Sequence, residues 1–185
     1  MARDLTEDAA LVLDLVRARP ATLGRGRLVS IDGPAGAGKT TLAGEVAALA
    51  PGAVVVHMDD LYEGWDGLPD VDRQLTGLLR PLSDRLPGSY RRYDWDAGSF
   101  AETVTVEPAE LLVLEGVGSG CRRHDDLIGV LVWVEAPYDL RMRRGIERDG
   151  EAFAPHWEAW AAAEEVHFTR HRTRERADLV VDGCR

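Results

Sequence analysis

With 185 residues, 45% apolar and 29% charged, the chain has the composition of one folded domain rather than of a disordered or membrane protein. A net charge of −10 argues against nucleic acid or a membrane surface as partner, since either would need a dominant basic face. No apolar run approaches the ~20 residues of a membrane span, and the first residues are acidic where a secretory leader is basic.

In chain order, Leu5, Ala9, Val12 and Val16 recur at helical spacing behind Asp4 and Glu7, a capping-box pair, so a helix is expected over 5–18, ending before Pro20. Residues 27–32 read as a buried strand, 39–50 as a helix stopped by Pro51-Gly52, and 53–57 as a second strand. Strand, turn, helix and strand at this spacing make a βαβ unit, which implies a parallel sheet covered on both faces. Residues 61–100 are rich in aromatic, Gly, Pro and Asp residues, with one helical stretch near 70–86. Alternation over 102–106 predicts a short exposed strand, and 111–114 and 130–134 are compact runs of central-strand type. Helices are expected over 137–149 and 155–177, separated by breaker-rich residues, and 179–181 closes the sheet. No repeat or linker interrupts the chain.

Between the first strand and its helix, Gly33-Pro34-Ala35-Gly36-Ala37-Gly38-Lys39-Thr40 fits G-x-x-x-x-G-K-[ST], with Thr41 following. Glycines let successive backbone N–H groups curl around phosphate oxygens, and the helix N-terminus adds its dipole. Lys39 would reach the β- and γ-phosphates and the Thr40 hydroxyl would bind Mg²⁺. Of 22 basic residues 21 are Arg, so Lys39 is the only lysine, a sign that this position needs an ammonium. The expected fold is therefore α/β: a single P-loop NTPase domain spanning 1–185, with a mostly parallel five-stranded sheet flanked by helices. A GTPase would need an N-K-x-D motif, which no second lysine can supply, and a transporter ATPase its L-S-G-G-Q signature. A ring ATPase would need a further domain. A small-molecule kinase remains, with ATP and Mg²⁺ as cofactors. The competing class is a regulator that binds or hydrolyses ATP without an acceptor, for which the aromatic-rich stretch over 61–100 has no use.

Asp59 and Asp60 follow the second strand, at the sheet edge where open α/β folds carry ligands. Asp59 is placed to orient an acceptor hydroxyl and take its proton. Glu115, ending a buried strand, has the position of a metal-side acid, so Thr40, Asp59 and Glu115 form the candidate Mg²⁺ set. Arg141, Arg144 and Arg148 fall at i, i+3 and i+7 on one helix face, as a closing lid over 145–157 needs, with Gly145 and Gly150 as hinges. Lys39, Asp59, Arg144 and Arg148 are the candidate catalytic residues. Arg170, Arg172, Arg174 and Arg176 alternate and read as mostly solvated, and His167 with His171 as packing or surface residues without a third metal ligand. Cys121 and Cys184 have no ligand spacing either, so a reducing cytoplasm is expected. A homo-oligomer is compatible with the sequence but not derivable from it.

From about Leu28 to Gly183 the chain resembles the uridine kinase family of P-loop nucleoside kinases, with more distant likeness to pantothenate kinase and phosphoribulokinase. The resemblance rests on Ile31 to Thr41, Asp59-Asp60-Leu61-Tyr62, Tyr93-Asp94-Trp95, Pro108 to Gly116, Arg141 to Arg144 with Arg148-Asp149, and Ala177 to Val181. It implies a hydroxyl-bearing small-molecule acceptor held by Asp59, Tyr62, Asp66, Tyr93 and Arg141, within an insert over 61–100. Two departures stand out. The family's histidine after Tyr-Asp-Phe has no counterpart in Asp96 to Phe100, and Gly64 to Asp70 is not the family's acceptor segment. Kinase chemistry is implied; uridine as the acceptor is not.

Overall fold

The computed structural model describes residues 4–150 and 154–184. The capping box forms as expected: the Asp4 carboxylate accepts from the Glu7 amide at 2.7 Å and the Glu7 carboxylate accepts from the Asp4 amide at 2.9 Å, opening α1 (Leu5–Arg17). The chain then runs β1 (Arg27–Asp32), α2 (Lys39–Leu49), β2 (Val54–His57), α3 (Asp72–Ser83), β3 (Gly88–Asp94), β4 (Ser99–Val106) and β5 (Leu111–Glu115). It continues through β6 (Val130–Glu135), α4 (Tyr138–Asp149), α5 (Ala154–His171), α6 (Thr173–Arg176) and β7 (Leu179–Asp182).

Five strands form one parallel sheet in the order β2-β5-β1-β6-β7. Its central strands are apolar on both sides because helices cover both faces. Val29, Ile31, Leu111 and Val113 join α1 and α2 in one core; Leu28, Leu112 and Leu114 join α3 and α5 in the other. β1 lies where the order reverses, so the loop after it opens into the crevice at the carboxyl ends of the strands. Polar groups gather at that edge: His57 ends β2, Glu115 ends β5 and Asp32 ends β1.

Three expectations change. Residues 88–94 and 99–106 pair as an antiparallel hairpin, longer than the short strand expected over 102–106. Asp94 at its turn accepts from the amides of Asp96 (3.1 Å) and Ala97 (2.9 Å), an Asx turn concealed in an aromatic stretch. The last helix breaks at Arg172, whose φ of +49° is left-handed. Arg170, Arg172 and Arg174 are exposed, in keeping with a mostly solvated set, while Arg176 is half-buried: it donates to the carbonyls of Gly120 and His171 and pairs with Asp125. Gly145 is buried inside the continuous α4, so the expected hinge there is absent, and Gly150 (φ +71°) ends the helix instead. Residues 151–153 of the expected lid lie outside the described residues. No helix among the described residues is long and apolar enough to cross a membrane, and both cysteines are free.

Candidate active site

The loop from Gly33 to Gly38 joins the end of β1 to α2, and neighbouring backbone explains two of its glycines. A Cβ on Gly33 would lie 2.0 Å from the Val134 carbonyl, and one on Gly36 (φ +74°) 2.4 Å from the carbonyl of Arg141. Lys39, Thr40 and Thr41 are the first residues of α2, with Gly38 as its left-handed N-cap. Lys39 is only 7% exposed, and its Nζ donates to the Pro34 carbonyl at 2.8 Å. Burial holds its pKa below the usual lysine range, while Glu164, Glu115, Asp32 and Asp59 pull in the opposite sense.

The Thr40 hydroxyl donates toward both oxygens of Glu115, at 3.1 and 3.2 Å, and Glu115 is 4% exposed. Across β2, the Nδ1 of His57 lies 2.5 Å from Glu115 Oε1, and this hydrogen bond raises the histidine's pKa. Asp59 is exposed beyond β2, and its carbonyl accepts from the Trp95 indole at 2.9 Å, which ties the hairpin tip to the acidic turn. Among the described residues no group of three or more His, Cys, Asp or Glu side chains is placed to hold a metal ion. Thr40 and Glu115 nevertheless offer hard oxygen donors beside the loop. That suits Mg²⁺, which takes few protein ligands and completes its shell with phosphate and water.

The arginines of α4 divide. Arg141 donates to the carbonyls of Ala136 (3.1 Å) and Ala35 (3.2 Å), and Arg144 to Gly183 (2.7 Å) and Gly36 (3.5 Å). Arg148 is exposed, farther along the helix. Of the expected acceptor residues, Asp66 is exposed and Tyr93 half-buried, its ring packed edge-on to Trp95 and Phe100. Tyr62 departs from expectation. It is 1% exposed, its hydroxyl donates to the Val117 carbonyl at 2.6 Å, and its ring meets Trp160 edge-on, so it forms the wall behind the site.

Three residues of this region were not singled out in the sequence. Asp32 is fully buried; its Oδ1 accepts from the amides of Gly33 (2.7 Å) and Gly118 (2.9 Å) and its Oδ2 from Gly120 (2.8 Å). Desolvation nonetheless pushes its pKa up to about 6. Glu164 of α5 reaches the loop, where it accepts from the Ala35 amide. His156 stacks on Trp65 at 4.8 Å and 7°, joining α5 to the aromatic cluster of the hairpin side. Trp157, Trp160, Glu164 and His167 share helical spacing and are all buried, which was the available signal for Glu164.

No family model matches the chain. It is 24% identical over 185 residues to a uridine kinase of Borrelia hermsii, covering 84% of this chain and 85% of that one. A structure of a possible uridine kinase from Bacillus stearothermophilus superposes with a TM-score of 0.70 at 22% identity, over 97% of this chain and all of the other. D-glycerate 3-kinase from Cryptococcus neoformans shares the fold at a TM-score of 0.58 and 12% identity, over 97% of this chain and 95% of its own. Sequence likeness along most of the chain, the five-stranded parallel sheet and the loop that opens at its reversal point agree: the chain resembles uridine kinases and has the fold of the P-loop kinases.

Proposed function

We infer that the protein, acting as one kinase unit in a reducing cytoplasm, transfers the γ-phosphate of ATP to a hydroxyl of a small molecule, in a Mg²⁺-dependent reaction. The observation that carries this reading is the Thr40 hydroxyl set against both oxygens of Glu115, beside the buried Lys39. Thr40 and Glu115, with Asp59 across the edge, would hold Mg²⁺, which when bound neutralises charge on the phosphate oxygens. Lys39 and the loop amides from Gly33 to Thr41 take the phosphates; Arg141 and Arg144 lie against the loop and Arg148 follows on the same helix. Asp59 aligns the acceptor hydroxyl and receives its proton. Phosphoryl transfer asks for positioning and charge neutralisation, and these groups supply both.

The acceptor side is bounded by Asp59, Asp66, Tyr93 and Trp95. The histidine that a uridine-kinase-like site would place after Tyr-Asp-Phe has no counterpart in 96–100, where Asp94 tightens the turn. One unmade hydrogen bond weakens binding by about 5- to 150-fold, so uridine and cytidine should be poor acceptors. A screen of hydroxyl-bearing metabolites scored by ADP release tests the reading, with uridine measured beside the best hit. ADP release that no acceptor stimulates would mark an ATP-hydrolysing regulator instead. A uridine kcat/KM of ~10⁴ M⁻¹s⁻¹ or more would return the nucleoside as the substrate.

A further inference from the structure

Glu164 sits ten residues into α5, in sequence far from the phosphate loop, yet its carboxylate is built into that loop. It is 3% exposed. Its Oε1 accepts from the Ala35 amide at 2.7 Å and from the Trp160 indole at 2.8 Å, and its Oε2 lies 3.7 Å from Arg141 Nη1. The peptide between Pro34 and Ala35 is therefore held at both ends: its N–H by Glu164 and its carbonyl by the Lys39 ammonium. The next carbonyl, that of Ala35, accepts from Arg141. One carboxylate thus sets a peptide plane that holds Lys39 and pairs directly with Arg141. These are the two cations placed to meet the end of a triphosphate. Burying a carboxylate is costly unless its lone pairs are matched, and here two N–H donors and a guanidinium match them.

We propose that Glu164 is the positioning residue for recognition of the terminal phosphate: it presets Arg141 and the first turn of the loop, so that the γ-phosphate is read through α5. The proposal rests on the nucleotide-binding reading above. It concerns a residue with no place in the transfer chemistry itself, since Glu164 acts through Arg141 and the Ala35 amide.

Substitution by glutamine separates its two functions. In Glu164→Gln the amide oxygen can still accept from Ala35 and Trp160, while an NH₂ group, a donor, would replace the oxygen that faces Arg141. The experiment titrates the full chain with Mg²⁺·AMPPNP and with Mg²⁺·ADP, following tryptophan fluorescence, for which Trp160 is a reporter in contact with Glu164. We expect E164Q to bind AMPPNP about 10-fold or more weakly, the scale of a charge-assisted hydrogen bond, and to bind ADP within about 3-fold of the parent. Arg141→Ala should show the same selective loss, and the double variant E164Q/R141A should be no weaker than R141A alone. Equal losses for both nucleotides, or losses that add in the double variant, would make Glu164 a strut of the fold and overturn the proposal. If E164Q does not fold, Glu164→Asp keeps the charge at shorter reach and should give a smaller loss confined to AMPPNP; a loss shared with ADP overturns the idea again. A parent protein that binds neither nucleotide removes the nucleotide reading, and this proposal with it.

Discussion

Lys39 sits in an unusual balance. Burial lowers its pKa, and this outweighs the opposing pull of Glu164, Glu115, Asp32 and Asp59. Removing one partner of a buried charge cluster strands the others. Lys39→Ala should therefore cost about 3 kcal/mol of unfolding free energy in the absence of nucleotide, measurable by urea titration. It should also lower turnover by about 10²- to 10⁴-fold. Retention of parental turnover by a folded K39A protein would refute the kinase reading. Tyr62 makes the opposite kind of case. Its ring and hydroxyl are both engaged in the interior, so Tyr62→Phe leaves the buried Val117 carbonyl without its donor at about 1–2 kcal/mol. The acceptor KM should stay within about twofold; a tenfold rise would place the hydroxyl at the substrate after all. At the loop, Lys39 and Thr40 were legible because the motif dictates their types, and Glu115 stood out because it follows four apolar strand residues. Asp32 was not legible, because an acid at a strand end looks alike whether it meets water or three backbone amides. Gly33 supplies one of those amides locally, and only the return of Gly118 and Gly120 to the end of β1 supplies the other two.

Among the elements, α4 and the hairpin decide how the site is enclosed. A glycine at 145 reads as a hinge by composition, but the helix continues through it and buries it, and the chain changes direction at Gly150. Nucleotide-dependent protection in hydrogen exchange should accordingly be absent over 140–149 and present in the first two turns of α5, which carry His156, Trp157 and Trp160. Protection that begins within α4 would restore Gly145 as the hinge. The hairpin reaches the acidic turn through Trp95, whose indole donates to the Asp59 carbonyl and whose ring packs against Trp65 at 4.9 Å and Tyr93 at 5.2 Å. Trp95→Ala should loosen the acceptor side alone, raising the acceptor KM about 10-fold while the ATP KM moves less than twofold. Equal changes in both constants would detach the hairpin from acceptor binding. Residues 88–94 escaped notice as a strand because Arg91 and Arg92 interrupt its apolar alternation and a register shift falls between Arg91 and Tyr93. The cross-strand pair of Arg92 with Glu102 at 2.7 Å links two residues ten apart and cannot be inferred from either strand alone.

At the scale of the whole molecule, two buried groups act on stability with opposite sign over nearly the same pH range. Burial lowers the pKa of His167 to about 4, so between 6.5 and 4 the unfolded chain binds a proton that the folded protein refuses, and acid destabilises. Asp32 stays protonated in the folded state up to about 6 while the unfolded chain releases that proton near 3.8, so acid stabilises. Each contributes about 3 kcal/mol, and the two should nearly cancel between pH 4 and 6. Asp32→Asn should expose the histidine slope, with stability falling steeply on acidification; His167→Gln should expose the reverse slope. Urea unfolding at several pH values measures both, and parallel curves for parent and variants would show that neither group titrates as its burial requires. The sequence by itself determined the α/β class, the phosphate loop and the acids at the ends of the second and central strands, because turn chemistry and apolar periodicity are local and each motif carries its residues within a few positions. The tertiary structure alone decided that Glu164 reaches Ala35 across 129 residues, that Tyr62 faces inward, and that His156 lies on Trp65. Those outcomes depend on how α5 crosses the carboxyl edge of the sheet, and a helix period shows which residues share a face but not what that face will meet.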